Sequence, residues 1–575
     1  MIASKPSWLA PLITVAIAFA YLGYAASPKA DPADGFHFQE FASLPVVDGG
    51  RVKPMDTFAR VSLMVINDGV QSYQDEKKVS QPAVKWLLEV MTSRFVENPV
   101  AENLKVFRIE NDQLLGFLGL SQRPGLRYSI NEIASKFKVL EERAIAAERK
   151  DPDKLDALDK SVIQLAKHLQ IHIDIATHRA PLLIPANGDW KPFMQAAMES
   201  RAEERPDPAV NSFGKILMAF GDGKPKEFNA ALADYQSQIE GKIPPQQRIS
   251  GLEVSFNHFS PLSQCIYLYV VVFLLTCVGW VSWRESLNSA AFWLAVATFM
   301  LHTCALSVRM YMQGRPPVTN LYSSAVFIGW GCVLGALVLE YLYANGIGNL
   351  KAAITGALTL LIANHLAGEG DTLEMMQAVL DTNFWLATHV TCITLGYTAT
   401  FLAGFLGIFY ILRGTFTPFQ TPEAGKSLIR MTYGVLCFAI FFSFVGTVLG
   451  GIWADQSWGR FWGWDPKENG AMLIVIWNAL ILHARWGGLA RDRGIALLAV
   501  VGNMVTGWSW FGTNQLGVGL HAYGFNDTLA NGLTWFWASQ LGVLALGLIP
   551  TRNWWSNQVQ TAEAGKQIKP GMRKA

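Results

Sequence analysis

The chain is poor in charged residues and lacks the short cysteine motifs that indicate redox or haem-attachment chemistry. Only 16% of its 575 residues are charged, whereas 51% are hydrophobic, a balance that excludes an ordinary soluble protein of this length. Its six cysteines form neither a CxxC nor a CxxCH sequence. The chain therefore has no thioredoxin-like site and no attachment site for a c-type haem of its own. Each cysteine lies in an apolar run, and we interpret all six as small side chains packed between helices.

Blocks of basic residues and nucleic-acid-binding motifs are also absent, which excludes a nucleic-acid-binding protein. The net charge of +2 averages over regions with different surroundings, so it indicates no class of partner by itself.

The chain does contain many apolar runs that are long enough to cross a bilayer, which takes roughly 20 residues of helix. About ten such runs are present: Trp8–Ala26, Ser263–Ser282, Ser289–Met312, Leu321–Ala344, Lys351–Ala367, Asn383–Leu412, Leu428–Trp453, Gly470–Trp486, Gly494–Asn514 and Thr534–Pro550. We predict an all-α polytopic membrane protein with about ten transmembrane helices.

A long polar region separates the first run from the second. It alternates charged helical patterns, such as EIASKFKVLEERAIAAERKDPDKLDALDKSVIQLAKHLQ, with proline and glycine breaks. This predicts a mainly helical soluble domain at residues 31–262, after an N-terminal membrane anchor or signal peptide at 1–30. A transmembrane domain at 263–550 and a basic tail at 551–575 follow.

The first apolar run has two interpretations. Its basic start, short apolar core and small residues Ala25, Ala26 and Ser27 are typical of a cleaved signal peptide. It is also just long enough to span the membrane, and we favour an uncleaved anchor. Either interpretation places the following domain outside the cytoplasm.

The distribution of basic residues predicts the orientation of the helices. With ten crossings, the basic loops and the tail all fall on one side of the membrane, which the positive-inside rule assigns to the cytoplasm. These residues are Lys5, Arg284, Lys351, Arg413, Lys426, Arg430, Arg485, Arg491, Arg493 and the tail from Arg552 to Lys574. The soluble domain and the acidic loop from Glu369 to Asp381 fall outside; only Arg315 departs from the rule.

One predicted external loop is crowded with aromatic residues, WADQSWGRFWGWDPKENG. It contains Trp453, Trp458, Trp462 and Trp464. Tryptophan is enriched at membrane surfaces, so an interfacial aromatic belt is one interpretation, although a belt usually supplies one or two aromatics per helix end. The other is a platform for a planar cofactor, because the loop offers flat apolar faces together with the charges of Arg460 and Asp465. A haem presents an apolar macrocycle and two propionates, which match these groups.

Histidines flank this loop in the sequence. His389 lies near the outer end of its predicted helix, and His521 lies in the external segment LGVGLHAYGF. Imidazoles can ligate a haem iron axially, and an ionisable residue in or near the membrane is a functional candidate because its burial is costly. His483 lies about 20 Å from the outer end of its helix at 1.5 Å per residue, toward the cytoplasmic side.

The other histidines carry weaker signals. His302, in the outer half of its helix, is an alternative partner for His483. The two lie about 10 Å apart in depth by helix rise, so we favour a packed or hydrogen-bonded residue. His168 and His172 are four residues apart on a predicted helix, a spacing that can bind a metal, but no third ligand is evident. We expect these two, like His37, His178 and His258, to be surface or locally bonded histidines.

The string WGRFWGWDPKE closely resembles the tryptophan-rich (WWD) signature of the haem-handling protein superfamily that serves cytochrome c maturation. LGVGLHAYGF and RMYMQGRPPVTNLYSS resemble the CcsA (ResC) branch of the two-subunit cytochrome c synthase known as system II. The resemblance covers roughly Cys265 to Pro550. The segment LPVVDGGRVKPMDTFAR resembles an extension found ahead of some members, to which we attach no chemistry.

The resemblance implies that His389 and His521 are external axial ligands of haem b and that His483 ligates haem in transit through the membrane. It implies that the tryptophan-rich loop holds the haem edge toward apocytochrome c, whose CxxCH thiols join the haem vinyl groups. It also implies a location in the cytoplasmic membrane of a bacterial cell and a CcsB (ResB)-like partner subunit. No region of this chain resembles that partner, so alone it would be an incomplete synthase. Asp465 is a candidate proton relay.

Two other functions use some of the same features. A haem carrier or exporter that delivers haem without forming thioethers would need the same histidines and loop, so this alternative stays open. A haem-b electron-transfer subunit is disfavoured, because the histidine spacing that stacks bis-histidine pairs across a helical bundle is absent from the sequence.

The predicted topology can be tested with reporter fusions at Gly223, in the soluble domain, and at Gly459, in the tryptophan-rich loop. We expect both reporters to be active outside the cytoplasm, because the basic loops lie inside. Cytoplasmic activity of either fusion would refute the topology.

Overall fold

The computed structural model describes residues 8–27, 31–75, 77–151, 154–186, 189–202, 207–240, 242, 249–368, 370–521 and 527–568. Lys5, Glu369 and the end of the basic tail lie outside the described residues. The chain divides into two compact units. The membrane unit consists of Met1–Leu22, Pro261–Ala363 and Met376–Ala575, and the polar unit consists of Gly23–Ser260 and Asn364–Met375. The polar unit thus includes Asn364–Met375, which we predicted to be part of the transmembrane domain.

Helix α1 (Leu9–Ala26) is followed by the helices and short strands of the polar unit. The helices are α2 (Phe38–Ala42), α3 (Met55–Ile66), α4 (Ala83–Thr92), α5 (Asp112–Leu118), α6 (Ile130–Ala134), α7 (Phe137–Glu148), α8 (Ala157–Ala176), α9 (Phe193–Ala202), α10 (Pro208–Gly221), α11 (Pro225–Ile239) and α12 (Ile249–Phe259). The strands are β1 (Pro45–Asp48), β2 (Arg51–Pro54), β3 (Ser72–Gln74), β4 (Ser80–Pro82), β5 (Phe107–Arg108), β6 (Arg127–Tyr128), β7 (Leu182–Ala186) and β8 (Asp189–Pro192). One sheet has the order β2-β1-β7-β8, and β3-β4 and β5-β6 form antiparallel pairs.

The segment LPVVDGGRVKPMDTFAR, for which the sequence indicated no chemical role, forms the β1–β2 hairpin and the start of α3. Its turn residues Gly49 and Gly50 both have positive φ, as a two-residue hairpin turn requires. The guanidinium of Arg51 then lies 2.8 Å from both Glu253 and Asp371. These groups are largely buried, so removing one partner would leave an uncompensated charge. The hairpin is therefore clamped to α12 and to the 364–375 segment within the polar unit.

Three histidines of the polar unit are buried, which corrects the expectation of surface or locally bonded residues at His168, His172 and His178. His172 is 3% exposed, and its ring lies 5.6 Å from that of Phe107. His178 is 1% exposed between Phe95 and Phe193. The apolar face of α8, with Val162, Leu165 and Leu169 buried, carries its histidines into the core. A cluster that could hold a metal is absent from the described residues.

The membrane unit continues with helices that, apart from the last, which lies in the predicted basic tail, coincide with the predicted apolar runs. They are α13 (Pro261–Val281), α14 (Arg284–Gln313), α15 (Leu321–Tyr343), α16 (Ile347–Ala367), α17 (Asn383–Trp385), α18 (Thr391–Phe416), α19 (Pro422–Trp458), α20 (Pro466–Trp486), α21 (Asp492–Trp510), α22 (Asp527–Leu548) and α23 (Trp555–Ile568). A π-helical turn, Leu386–Val390, joins α17 to α18.

Seven helices among the described residues are long and apolar enough to cross a membrane. They are Leu9–Ala26, Ile249–Val281, Arg284–Gln313, Leu321–Tyr343, Ile347–Ala367, Asn383–Phe416 and Pro422–Trp458. The all-α polytopic membrane fold is thereby confirmed. Helices α20, α21 and α22 coincide with the three remaining runs, but they are more polar, so the count of ten stays a prediction.

Close contacts with α18 organise this unit. A Cβ atom on Gly396 would collide with Ser443 of α19, and one on Gly404 would collide with Asn503 of α21. Small residues of this kind let membrane helices approach closely, and hydrogen bonds between helices support the contact. The Tyr397 hydroxyl lies 2.6 Å from Ser509 Oγ.

The six cysteines are free. Cys265 and Cys332 are buried, in agreement with a packing role, whereas Cys304 is exposed on α14. The prediction that every cysteine packs between helices is therefore wrong for Cys304.

The buried histidines predict that the polar unit loses stability in acid. Burial lowers the pKa of His172 from 6.5 to about 4, and that of His178 likewise. Between these values the unfolded chain binds protons that the folded unit does not, so stability falls as the pH drops from about 6.5 to about 4. We expect His172→Leu to reduce this dependence in thermal unfolding of the full-length protein. His37, whose side chain is 30% exposed beside Glu40, provides the control His37→Leu; if both changes act alike, burial of His172 is not the cause.

Candidate functional site

The sequence DPKE at the end of the tryptophan-rich loop forms the start of α20. Asp465 is the N-cap residue, Pro466 occupies the first helical position, and Glu468 completes a capping box. One carboxylate oxygen of Glu468 accepts hydrogen bonds from the backbone N–H groups of Gly463 (2.8 Å) and Asp465 (3.2 Å). The loop is therefore tied to the helix that follows it.

Lys467 connects this cap to two other parts of the membrane unit. Its ammonium donates to the carbonyl of Trp510 at 2.8 Å and lies 3.3 Å from Asn514 Oδ1. The indole N–H of Trp510 donates in turn to Ser324 Oγ at 3.0 Å. Ser324 lies in the first turn of α15, within the segment RMYMQGRPPVTNLYSS, so that segment positions the ends of α15 and α21 beside the loop.

The four tryptophans divide into two pairs. Trp453 lies edge-on to the His389 ring at 5.7 Å, and Trp458 lies edge-on to the His521 ring at 5.2 Å. Trp462 and Trp464 pack against each other at 6.3 Å, and Trp464 is 69% exposed. Two tryptophans thus contact the predicted ligands, and two form a partly exposed pair beyond them.

Trp385 also belongs to this site, although the sequence analysis did not select it. Its ring stacks on Trp453 at 6.3 Å, and its N–H donates to Gln456 Oε1 at 3.1 Å. The available signal was its position four residues before His389, which places both residues on one helical face.

His389 lies in the π-helical turn and packs on a glycine surface of α19. Its Nδ1 lies 2.8 Å from the carbonyl oxygen of Gly446. A carbonyl only accepts, so Nδ1 carries the proton and Nε2 is the nitrogen that can bind a metal. A Cβ atom at Gly450 would lie 2.5 Å from Cε1 of the ring. The glycines in VGTVLGG could have indicated this contact from the sequence, since they leave the surface of α19 free of side chains where the ring packs.

His521 faces the helix cap. Its Nδ1 lies 3.3 Å from Oδ2 of Asp465, and its backbone N–H lies 3.4 Å from the same oxygen. Burial alone would raise the pKa of Asp465, but the backbone N–H of Lys467 and the nearby His521 outweigh burial and lower it. The carboxylate is therefore ionised beside the imidazole, and it favours a proton on Nδ1.

His389 and His521 come together at one end of the membrane unit. The ring of His389 contacts Trp453 and that of His521 contacts Trp458, and these two tryptophans lie five residues apart near the end of α19. The Nδ1 of His389 is hydrogen-bonded to a carbonyl, whereas the Nδ1 of His521 lies 3.3 Å from a carboxylate without an aligned hydrogen bond. In both rings Nε2 is the nitrogen that would be available to a haem iron. Arg460 is exposed and makes no ion pair among the described residues, so its charge is available to a ligand carboxylate. The residues fit a haem.

His483 lies elsewhere, near the other end of α20. At 1.5 Å per residue it is roughly 27 Å along the helix from Asp465. Its side chain is exposed, with Nδ1 2.8 Å from the carbonyl of Ala479, and it shares its face with the exposed residues Ile476 and Leu480. His302, by contrast, is fully buried, with Nδ1 3.4 Å from the hydroxyl of Tyr269.

Residues 318–521 match the family model of the cytochrome C assembly protein, a range that includes His389, the tryptophan-rich loop and His521. Protein NrfI of Wolinella succinogenes is 35% identical over 240 residues, which are 40% of this chain and 26% of that protein. The cytochrome c biogenesis protein CcsA of Chlamydomonas reinhardtii is 31% identical over 239 residues, 39% of this chain and 66% of the relative. CcsA of Synechococcus sp. (strain CC9902) is 28% identical over 261 residues, 40% of this chain and 85% of the relative. The matched region thus spans about a quarter of NrfI and just under two thirds of the algal protein.

The glycine surface beneath His389 makes a specific prediction for α19. Gly450→Ala should lower the thermal unfolding temperature in detergent, because the new methyl group collides with the imidazole ring. Gly434→Ala in the same helix is the matched control, since a Cβ atom there meets nothing within 4 Å. The control should be neutral or stabilising by up to about 1 kcal/mol. Equal effects of the two changes would contradict the close contact.

Proposed function

This chain belongs to the CcsA family of cytochrome c biogenesis proteins, and we propose that it binds haem b and presents it for covalent attachment to apocytochrome c. The single observation that carries the proposal is the convergence of His389 and His521 beside Trp453 and Trp458, which neighbour each other on α19. Each imidazole has its Nδ1 facing an acceptor, so each is prepared to ligate iron through Nε2.

In this proposal the two histidines are the axial ligands, and the tryptophan-rich loop holds the macrocycle. Trp458, Trp462 and Trp464 offer apolar faces, and Arg460 offers a guanidinium to a propionate. Bound haem supplies the two vinyl groups that become thioether links. The site is proposed to face the outside of a bacterial cytoplasmic membrane, in agreement with the charge pattern of the loops.

The proposed reaction needs no nucleophile from this chain. Each cysteine thiol of CxxCH adds across a vinyl double bond, so that sulfur bonds to one carbon and the thiol proton is transferred to the other. Holding both reactants in one geometry can contribute up to roughly 7–11 kcal/mol. The chain's residues would thus act by positioning. Asp465 is buried against His521, so a proton relay through it would pass by way of that histidine.

The exposed position of His483 supports a partner. Because its side chain faces away from the bundle on α20, a second ligand for a haem held there would have to come from outside the helices of this chain. We propose that His483 holds haem in transit at a contact with a CcsB (ResB)-like subunit.

A haem exporter that forms no thioether remains the second candidate, since it would use the same ligands. Co-expression separates the two. The chain, an apocytochrome c and a candidate partner subunit are produced in a host without its own maturation system, and covalent haem is assayed on denaturing gels. Haem bound to the chain without covalent product in the presence of the partner would favour export.

We predict that the purified protein shows a low-spin bis-histidine haem spectrum. His389→Ala and His521→Ala should each lower haem content and block attachment, and added imidazole should partly restore both, because it fills the vacant axial position. His483→Ala should deplete haem at the outer site while leaving the ligands of that site in place, because it interrupts transit.

The control for this series is His302→Ala. This change leaves a cavity and costs stability, but it should leave the spectrum of the bound haem unchanged. Equal, mild losses of haem for all four variants would mean that the assigned roles are wrong.

A further inference from the structure

The two candidate axial histidines differ in the group that faces Nδ1. For His389 this group is the neutral backbone carbonyl of Gly446, at 2.8 Å. For His521 it is the carboxylate of Asp465, at 3.3 Å. A carboxylate partner makes an imidazole a stronger donor to a metal than a neutral carbonyl does, because it stabilises the positive charge that the ring acquires on binding.

The Asp465 carboxylate is held in place from several sides. The residue is 5% exposed, and Oδ1 accepts the backbone N–H of Lys467 at 2.9 Å as the helix cap. Oδ2 lies against the chain at Gly519, where a Cβ atom would collide with it and where φ is +94°. Only a glycine at this position lets the segment that carries His521 approach the carboxylate.

We infer that Asp465 is a positioning residue that fixes the Nδ1–H tautomer of His521, aims Nε2 at the haem iron and makes His521 the stronger of the two axial donors. The inference rests on the proposed function, since it requires both histidines to ligate haem. The contact meets the distance of an ion pair but lacks the alignment of a hydrogen bond. Such contacts align when the ligand is bound.

Because the two histidines differ in donor strength, each has a different role during attachment. In the proposed reaction, the histidine of the CxxCH segment would take the place of one of the two histidine ligands as product leaves. His389, backed only by a carbonyl, is the weaker donor and is the ligand that exchanges. His521, backed by the carboxylate, retains the iron until the exchange is complete.

The test uses imidazole as a probe in the full-length, haem-loaded protein. In His521→Gly, added imidazole takes the place of the lost ring and can donate its N–H to Asp465. In His389→Gly, it donates toward the carbonyl of Gly446. Asp465→Asn is then added to each background, because asparagine caps a helix as well as aspartate does and only the charge is lost.

We expect Asp465→Asn to weaken imidazole binding about tenfold in the His521→Gly background, a typical effect of losing an orienting partner, and to leave it unchanged in the His389→Gly background. In the protein with both histidines, Asp465→Asn should raise the haem reduction potential, because a weaker donor stabilises ferric iron less. No change in either measurement, or an equal change in both backgrounds, would overturn the inference.

Glu468→Gln is the matched control. It weakens the other half of the capping box without touching His521, so it should leave imidazole affinity unchanged in both backgrounds. An effect as large as that of Asp465→Asn would mean that a damaged cap is the cause, and the inference would be withdrawn. If neither glycine variant gives a bis-imidazole spectrum with the probe, the axial assignment itself fails, which separates that outcome from failure of the inference.

Discussion

The cap of α20 connects most of the candidate site. Asp465 and Glu468 satisfy N–H groups at the helix start and hold the end of the tryptophan-rich loop. Lys467, the second residue of α20, binds the end of α21. Unsatisfied N–H groups at a helix start are costly when buried, so the cap has a structural cause of its own. The same carboxylate that closes the helix reaches His521. One local requirement of helix formation thus brings a loop, a helix end and a candidate ligand together.

The second constraint is the close approach of α18 and α19. Apolar helices in a lipid environment gain little from hiding apolar surface, so they associate through tight packing and hydrogen bonds. Gly446 and Gly450 provide a surface without side chains, and the π-helical turn places His389 on it. The backbone carbonyl of Gly446 then selects the tautomer. A larger residue on α19 would both push the ring away and separate the helices.

The polar unit shows how burial changes the chemistry of a residue type. Histidines that would titrate near pH 6.5 in water lie among aromatic rings in its core, and their pKa values fall because the charged form loses hydration. Arg51 is also largely buried, but a guanidinium stays protonated in proteins, and two carboxylates compensate its charge. The buried histidines lack such partners and are neutral.

Much of the architecture could be predicted from the sequence. Helix length and apolar content are local properties, so the runs coincided with helices, and the aromatic loop with its flanking histidines was evident from residue types alone. The DPKE string also specifies a helix start by local chemistry. Only the tertiary structure decided which acceptor faces each imidazole and that Trp385 stacks on Trp453. It also decided that His483 points away from the bundle and that His168 and His172 are buried. A periodic pattern reports which face of a helix is apolar, but the neighbour that covers that face comes from distant parts of the chain.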